Sequence, residues 1–267
     1  FRYFQSTILK REVLEQILSV YIFERCPDNE LLQIKYIYGL MKKLNILYQS
    51  IEKVVPAKCA ELPEGHFGID KVLLAFDRLF TVFPSNKSII MALKEGTRSL
   101  FGSDLEFLES VLKWVDSKIK KNFYSLIQGE PIQENEMRKT HDTLQILINF
   151  LVELDVMEVF LKLYLSRSFF RRVILMDSDY LKFSDNPLCI EHYISTVLLA
   201  KKTGVSSAPQ LSDLTMDVEK SKHLWETFRA TSTGKVELVP LLFQKSNVPD
   251  SFQQTALDIP SLPQQLS

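Results

Sequence analysis

Apolar residues recur at three- and four-residue intervals along most of this chain, and the pattern lapses only at short polar stretches. Ile8, Val13, Leu14, Ile17, Leu18 and Tyr21 predict a first helix, which breaks at Cys26-Pro-Asp-Asn29. A second helix is predicted from about residue 30 to 55, and residues 56 to 68 read as a loop opened by Pro56. Ile69, Val72, Leu73, Phe76 and Phe80 mark a third helix ending before Pro84. Ser85 or Asn86 can cap a fourth, carrying Ile89, Ile90, Leu93 and Leu100, in which Gly96 costs roughly 1 kcal/mol relative to alanine.

Gly102 punctuates the chain, and Ser103-Asp-Leu-Glu106 has capping-box spacing. The helix that follows carries a stripe of Leu105, Leu108, Leu112, Val115, Ile119 and Phe123, with Lys118, Lys120 and Lys121 near its end, where cations complement the helix dipole. After Gln128-Gly-Glu-Pro131, a longer helix places Leu144, Leu147, Ile148, Leu151 and Leu154 on one side and continues through Phe160 and Tyr164. Pro187 starts another helix through Leu198, residues 203 to 210 read as a linker, and a short helix spans about 214 to 228. Beyond Gly234 the period changes to two: Lys235-Val-Glu-Leu-Val239 alternates as a strand does, and Pro240 marks an edge or a break.

The composition excludes several functions. With 32 Lys+Arg against 33 Asp+Glu there is no basic excess for nucleic acid. Three cysteines, Cys26, Cys59 and Cys189, are too few and too unevenly placed for a disulfide framework, which points to the reducing cytoplasm or nucleus. No run reaches the roughly 18 apolar residues of a membrane span. The first residue is Phe1, already inside a helical pattern, so the chain is expected to be a piece of a longer protein. Its 8 glycines form no phosphate-cradling motif.

Residue types with chemical potential occur, but without the surroundings catalysis needs. Cys189 and His192 have metal-ligand spacing, yet His66, His141 and His223 supply no partner at zinc distances. Asp185, His192 and Ser195 have the residue types of a hydrolase triad without the strand and sharp turn that expose a nucleophile. Asp177 and Asp179 could bind a cation, but at a helix end and turn they are better explained by turn chemistry, and Arg167, Arg171 and Arg172 form a basic cluster of the kind that is usually solvated surface and sometimes binds a partner. No cofactor is expected, and the pattern favours a non-catalytic protein.

Five blocks in order resemble the cullin family, the elongated scaffolds of modular ubiquitin ligases. Val72-Leu-Leu-Ala-Phe-Asp-Arg-Leu-Phe80 with Phe83-Pro-Ser-Asn-Lys87 is similar to the family's helix and its F-N-N-D turn, with Pro84 and Ser85 as departures. Trp114-Val-Asp-Ser-Lys-Ile-Lys-Lys121 resembles Y-I-D-x-L-L-K-K. Asp155, Val156, Phe160, Leu165 and Arg167 fit D-V-F-x-x-F-Y-x-x-x-L-A-R-R-L, while Ser166, Ser168, Phe169 and Phe170 depart from its end. Leu211 to Asp217 with Ser221 resembles L-x-x-M-x-x-D-x-x-x-S, which in the family precedes a strand like the one expected at Val236 to Phe243, and Ile259-Pro-Ser-Leu-Pro263 takes the place of a late L-P motif, without the Trp-Pro usual after the strand. The resemblance covers about residues 70 to 267.

The resemblance implies a mainly α fold. An elongated helical stalk repeat (1-102) would lead into a helical bundle (103-232) and the first strand of a truncated α/β platform (233-267). It implies a scaffold holding a substrate receptor or adaptor at one end, and a RING protein with its ubiquitin-conjugating enzyme at the other. Val236, Leu238 and Val239 would belong to the platform on which the RING protein's strand is added, unless they form an ordinary intramolecular strand. No direct nucleic-acid or membrane contact is implied, and no lysine here takes the family's modifier role. A cullin-like subunit of the large mitotic ligase shares this architecture. A helical tethering or adaptor module of membrane traffic is the alternative from another class.

Overall fold

The computed structural model describes residues 11–24, 29–40, 43–84, 86–127, 134–169, 189–201, 203–231 and 241–248. Among the described residues there are ten α-helices and no strand. They are α1 (Arg11–Phe23), α2 (Glu30–Leu40), α3 (Leu44–Ala60), α4 (His66–Val82), α5 (Lys87–Phe101), α6 (Asp104–Ile127), α7 (Glu134–Glu153), α8 (Met157–Tyr164), α9 (Cys189–Ala200) and α10 (Ser207–Thr231). A π-helical turn, Leu165–Phe169, continues α8. The mainly helical class read from the sequence is what the chain adopts. The chain divides into two compact units, residues 1–160 and 161–267.

In the first unit, α4 is the hub against which α1, α2, α5, α6 and α7 all pack. Its apolar positions explain this: Ile69, Val72, Leu73, Ala75, Phe76, Leu79 and Val82 are buried and cover more than one side of the helix. Phe76 meets Phe150 of α7 at 4.9 Å between ring centroids, and Phe107 of α6 meets the same Phe150 edge-on at 6.0 Å. The most extensive helix pair is α3 with α5. Gly96 explains how closely they approach, since a β-carbon there would sit 2.8 Å from Cys59 Sγ and 3.3 Å from Val55 Cγ1. The glycine that weakens α5 as an isolated helix is thus what lets α5 lie against α3.

Three local readings are corrected. The second predicted helix is two, α2 and α3, and α3 runs through Pro56 to Ala60 where a loop was expected. Proline costs about 3 kcal/mol inside a helix, but Val54, Val55 and Cys59 around it are buried, and that burial outweighs the lost hydrogen bond. Leu105, assigned to the apolar stripe of α6, is 51% exposed; the buried face is Phe107, Leu108, Val111, Leu112, Trp114 and Val115, the side that meets α4 and α5. In the second unit α10 begins at Ser207, inside the expected linker, because Ala208, Leu211, Leu214, Thr215 and Val218 are buried and the helix packs on α9.

Three basic side chains close helix ends in the first unit. Arg78 of α4 donates to the carbonyls of Tyr21 (2.7 Å) and Glu24, and Lys71 donates to Phe23 O at 3.0 Å, so α4 satisfies the last carbonyls of α1. Lys35 of α2 does the same for α4 through Val82 O. Each places a cation at the negative end of a helix dipole.

Candidate functional site

Several described residues of the sequence blocks singled out above, Phe83, Asn86, Trp114, Asp155, Asp217 and Ser221, sit at joints, the places where the chain turns or one element is pinned to another. At the α4–α5 turn, Phe83 is buried against Tyr48, with ring centroids 5.7 Å apart and Lys35 Nζ 5.0 Å from its own centroid. Asn86 caps α5 by accepting from Ile89 N at 3.3 Å. Of the two caps the sequence allowed, it is the asparagine that serves. Ser103 serves as the cap that was expected of it, Glu106 N donating to Ser103 Oγ at 3.2 Å, but Glu106 Oε2 accepts from the Ser103 hydroxyl at 2.8 Å in place of the backbone N–H that a capping box uses.

Trp114 is buried in α6 and donates its indole N–H to Asp70 Oδ1 of α4 at 3.0 Å. Lys118, one turn on, has its ammonium 4.9 Å from the Trp114 ring centroid and 3.9 Å from the same carboxylate oxygen. This block therefore fixes α6 to α4 by a buried aromatic with a polar handle.

Asp155 has φ 59°, the left-handed region that favours glycine. Val156 N donates to Leu151 O and Asp155 N to Val152 O, each at 3.0 Å, the paired bonds of a Schellman motif. Asp155 thus ends α7, and α8 begins at Met157. Phe160 and Tyr164, expected to extend the earlier helix, are buried in α8 instead.

In the second unit, Asp217 and Ser221 lie one turn apart on α10 and hold residues 241–248, which are neither helix nor strand although 241–243 belong to the stretch expected to form one. Leu242 N donates to Ser221 Oγ at 2.9 Å, and Ser221 Oγ donates back along its own helix to Asp217 O at 2.8 Å. Asp217 Oδ2 accepts from Gln244 N at 3.0 Å and from Asn247 Nδ2 at 3.1 Å, while Gln210 Nε2 donates to Asn247 O at 2.8 Å. Asp217, Ser221 and Asn247 are buried. A carboxylate accepting two N–H bonds is well satisfied without a counter-cation, so the burial is structurally sound. Gln210 and Asn247 had no signal in the sequence, since their roles depend on a register that only the fold sets.

The other candidate residues fall outside such arrangements. Val236, Leu238 and Val239 lie outside the described residues, as do Asp177, Asp179, Asp185, Arg171 and Arg172 and the side chains of Cys189 and His192. Ser195 is buried in α9 and Arg167 is exposed. Glu191 of α9 is buried and accepts from the Tyr164 hydroxyl. Cys59 is buried beneath α5, and desolvation pushes its thiol up to about 12, which leaves no reactive thiolate at neutral pH. Among the described residues no group of metal-ligating side chains assembles, and no helix is long and apolar enough to cross a membrane.

A shallow, almost wholly apolar groove of about 620 Å³ runs along α2, lined by Leu32, Lys35, Tyr36, Gly39, Leu40 and Leu44 among others. Leu32, Tyr36 and Leu40 recur every fourth residue and are 51%, 67% and 67% exposed. They form one stripe along the helix. No family model, curated protein or solved structure matches this chain.

Proposed function

We propose that the chain is part of a divergent cullin-like scaffold of a ubiquitin ligase, with no catalytic groups of its own. The observation that carries this reading is the role of Asp217 and Ser221. They are the two polar residues of the block resembling L-x-x-M-x-x-D-x-x-x-S, and their side chains bind the backbone of Leu242 and Gln244, at the end of the stretch expected to form the platform strand. Trp114, Asp155 and Asn86 support it in the same way, each taking a joint within a block that resembles the family.

The scaffold acts by geometry. Helices packed around α4 keep their axes fixed, and a substrate receptor and a RING protein held at set positions convert ubiquitin transfer into an effectively intramolecular step, which can be worth several kcal/mol. In this reading Val236, Leu238 and Val239 present the platform edge to the RING protein. The finer organisation, stalk repeat to 102, bundle to 232 and platform strand from 233, belongs to the same proposal, as do its nuclear or cytoplasmic location and its lack of direct nucleic-acid or membrane contact.

The test is affinity purification of the protein from its cells, followed by a ubiquitin-chain assay on what co-purifies. A stoichiometric RING protein and chain formation that depends on the protein are expected. The exposed stripe of α2 favours a second reading, a helical tethering or adaptor module of membrane traffic, because such modules dock partner helices on apolar grooves. Recovery of tether or coat subunits without ligase activity selects that reading and rejects the first.

A further inference from the structure

We propose that the polar stripe Gln210, Asp217 and Ser221 on α10 is a register lock for the outgoing chain, with Pro240 and Asn247 excluding the neighbouring registers. The three residues are seven and four positions apart, spacings that return to one helix face. Four helical residues rise about 6 Å, and two residues of an extended chain advance about 6.7 Å. Ser221 and Asp217 therefore match the spacing of alternate backbone N–H groups, and they take those of Leu242 and Gln244. The segment runs antiparallel to the helix, 221 opposite 242, 217 opposite 244 and 210 reaching 247.

Matching spacing alone does not choose a register, because alternate N–H groups repeat along any extended chain. A one-residue slip would turn Leu241 and Phe243, now half-buried, outward and bring the exposed Leu242 and Gln244 inward. A two-residue slip in one direction would set residue 240 opposite Ser221, and that residue is proline, which has no N–H to give. A two-residue slip in the other direction would set Gln244 opposite Ser221 and Ser246 opposite Asp217. It would also carry Asn247 along the helix toward Ser221 and away from Gln210, losing the 3.1 Å and 2.8 Å bonds that close the clamp. The turn that brings Asn247 back, with Asn247 N donating to Gln244 O at 2.9 Å, would be displaced along with it. One register keeps every bond.

The lock is a property of α10 and its strap and does not depend on the scaffold reading. It is tested by amide hydrogen exchange, read by NMR, on the 267-residue chain. In the unmodified chain the Leu242 and Gln244 amides exchange slowly, and Ser221→Ala speeds Leu242 about tenfold with a smaller effect on Gln244. The combined Pro240→Ala and Asn247→Ala variant gives two sets of resonances for residues 241 to 246, with protection appearing at residue 240 or 246. Unchanged α10 resonances show in each case that the helix is folded. A single set with protection still at Leu242 and Gln244 in the combined variant overturns the lock, as does unprotected exchange of both amides in the unmodified chain.

Discussion

The contact of α3 with α5 and the contact of α10 with residues 241–248 hold chain segments by opposite means. Between α3 and α5 there is close apolar contact, with Gly96 against Cys59 and Val55, and specificity lies in volume. On α10 an exposed-to-half-buried strap is held by side chains reaching backbone groups, and specificity lies in spacing. The first kind of contact tolerates sliding poorly because shapes must interlock. The second tolerates changes of side chain at Leu242, which is 59% exposed, but not loss of a donor or acceptor.

If packing dominates the first unit, a charge in its core should be the most damaging change. Leu151 is fully buried in α7, and Leu151→Asp is expected to cost on the order of 5 kcal/mol, comparable to the whole stability of many domains. Urea unfolding reads it directly. A near-normal midpoint would mean that the face assigned to α7 is not buried.

Gly96→Ala sharpens the volume argument. The added methyl would favour helix by about 1 kcal/mol but overlap Cys59 Sγ, so a net loss of about 1–2 kcal/mol is expected. Combining it with Cys59→Ala should recover much of that loss, since the two sites are in contact. Additive effects in thermal melts would break the proposed link between the glycine and the helix pair.

Asp155 separates backbone geometry from side-chain chemistry. Asp155→Gly is expected to be neutral or stabilising by a few tenths of a kcal/mol, and Asp155→Val to cost about 1–2 kcal/mol, because a β-branched residue resists φ 59°. Equal effects in denaturant titrations would show that the carboxylate, not the turn, matters.

The smallest effect belongs to surface charge. The Arg98 guanidinium forks onto Asp104 at 2.9 and 3.1 Å and holds its carboxyl below the usual aspartate value near 4; Lys53, and then Arg11, lower Glu15 in the same sense. Because folding lowers these values, the stabilisation is present above the unfolded values and is lost as pH falls through the folded ones. Stability should therefore decline slightly below about pH 4, less steeply in Arg98→Gln and less steeply in high salt. A slope unchanged by either would remove charge from the account of the α5–α6 corner.

What was legible in the sequence were features that act locally. Periodicity gave α4, α5 and α6 to within a few residues but ran α7 on through Tyr164, past the break at Asp155, because α8 keeps the same apolar spacing; Asn86 and Ser103 announced their caps because a cap needs only its own first turn. Pro56 misled because burial of Val54, Val55 and Cys59 is a tertiary fact that outweighs a local penalty. Gly96 was read by propensity alone, and its neighbour Cys59 is 37 positions away. Asp217 and Ser221 were visible as a block, but what they grip was not, since Asn247 reaches them only after the chain has doubled back.

The basic residues at the helix ends have a consequence for synthesis. The carbonyls that close α1 wait for Lys71 and Arg78, which follow them by 48 to 57 positions. At ribosomal speeds of about 5–20 residues per second, that interval lasts on the order of several seconds. During it α1 has its last carbonyls without these partners and the side that packs on α4 uncovered. A chaperone that samples new chains has its opportunity there, and the arrival of α4 ends it.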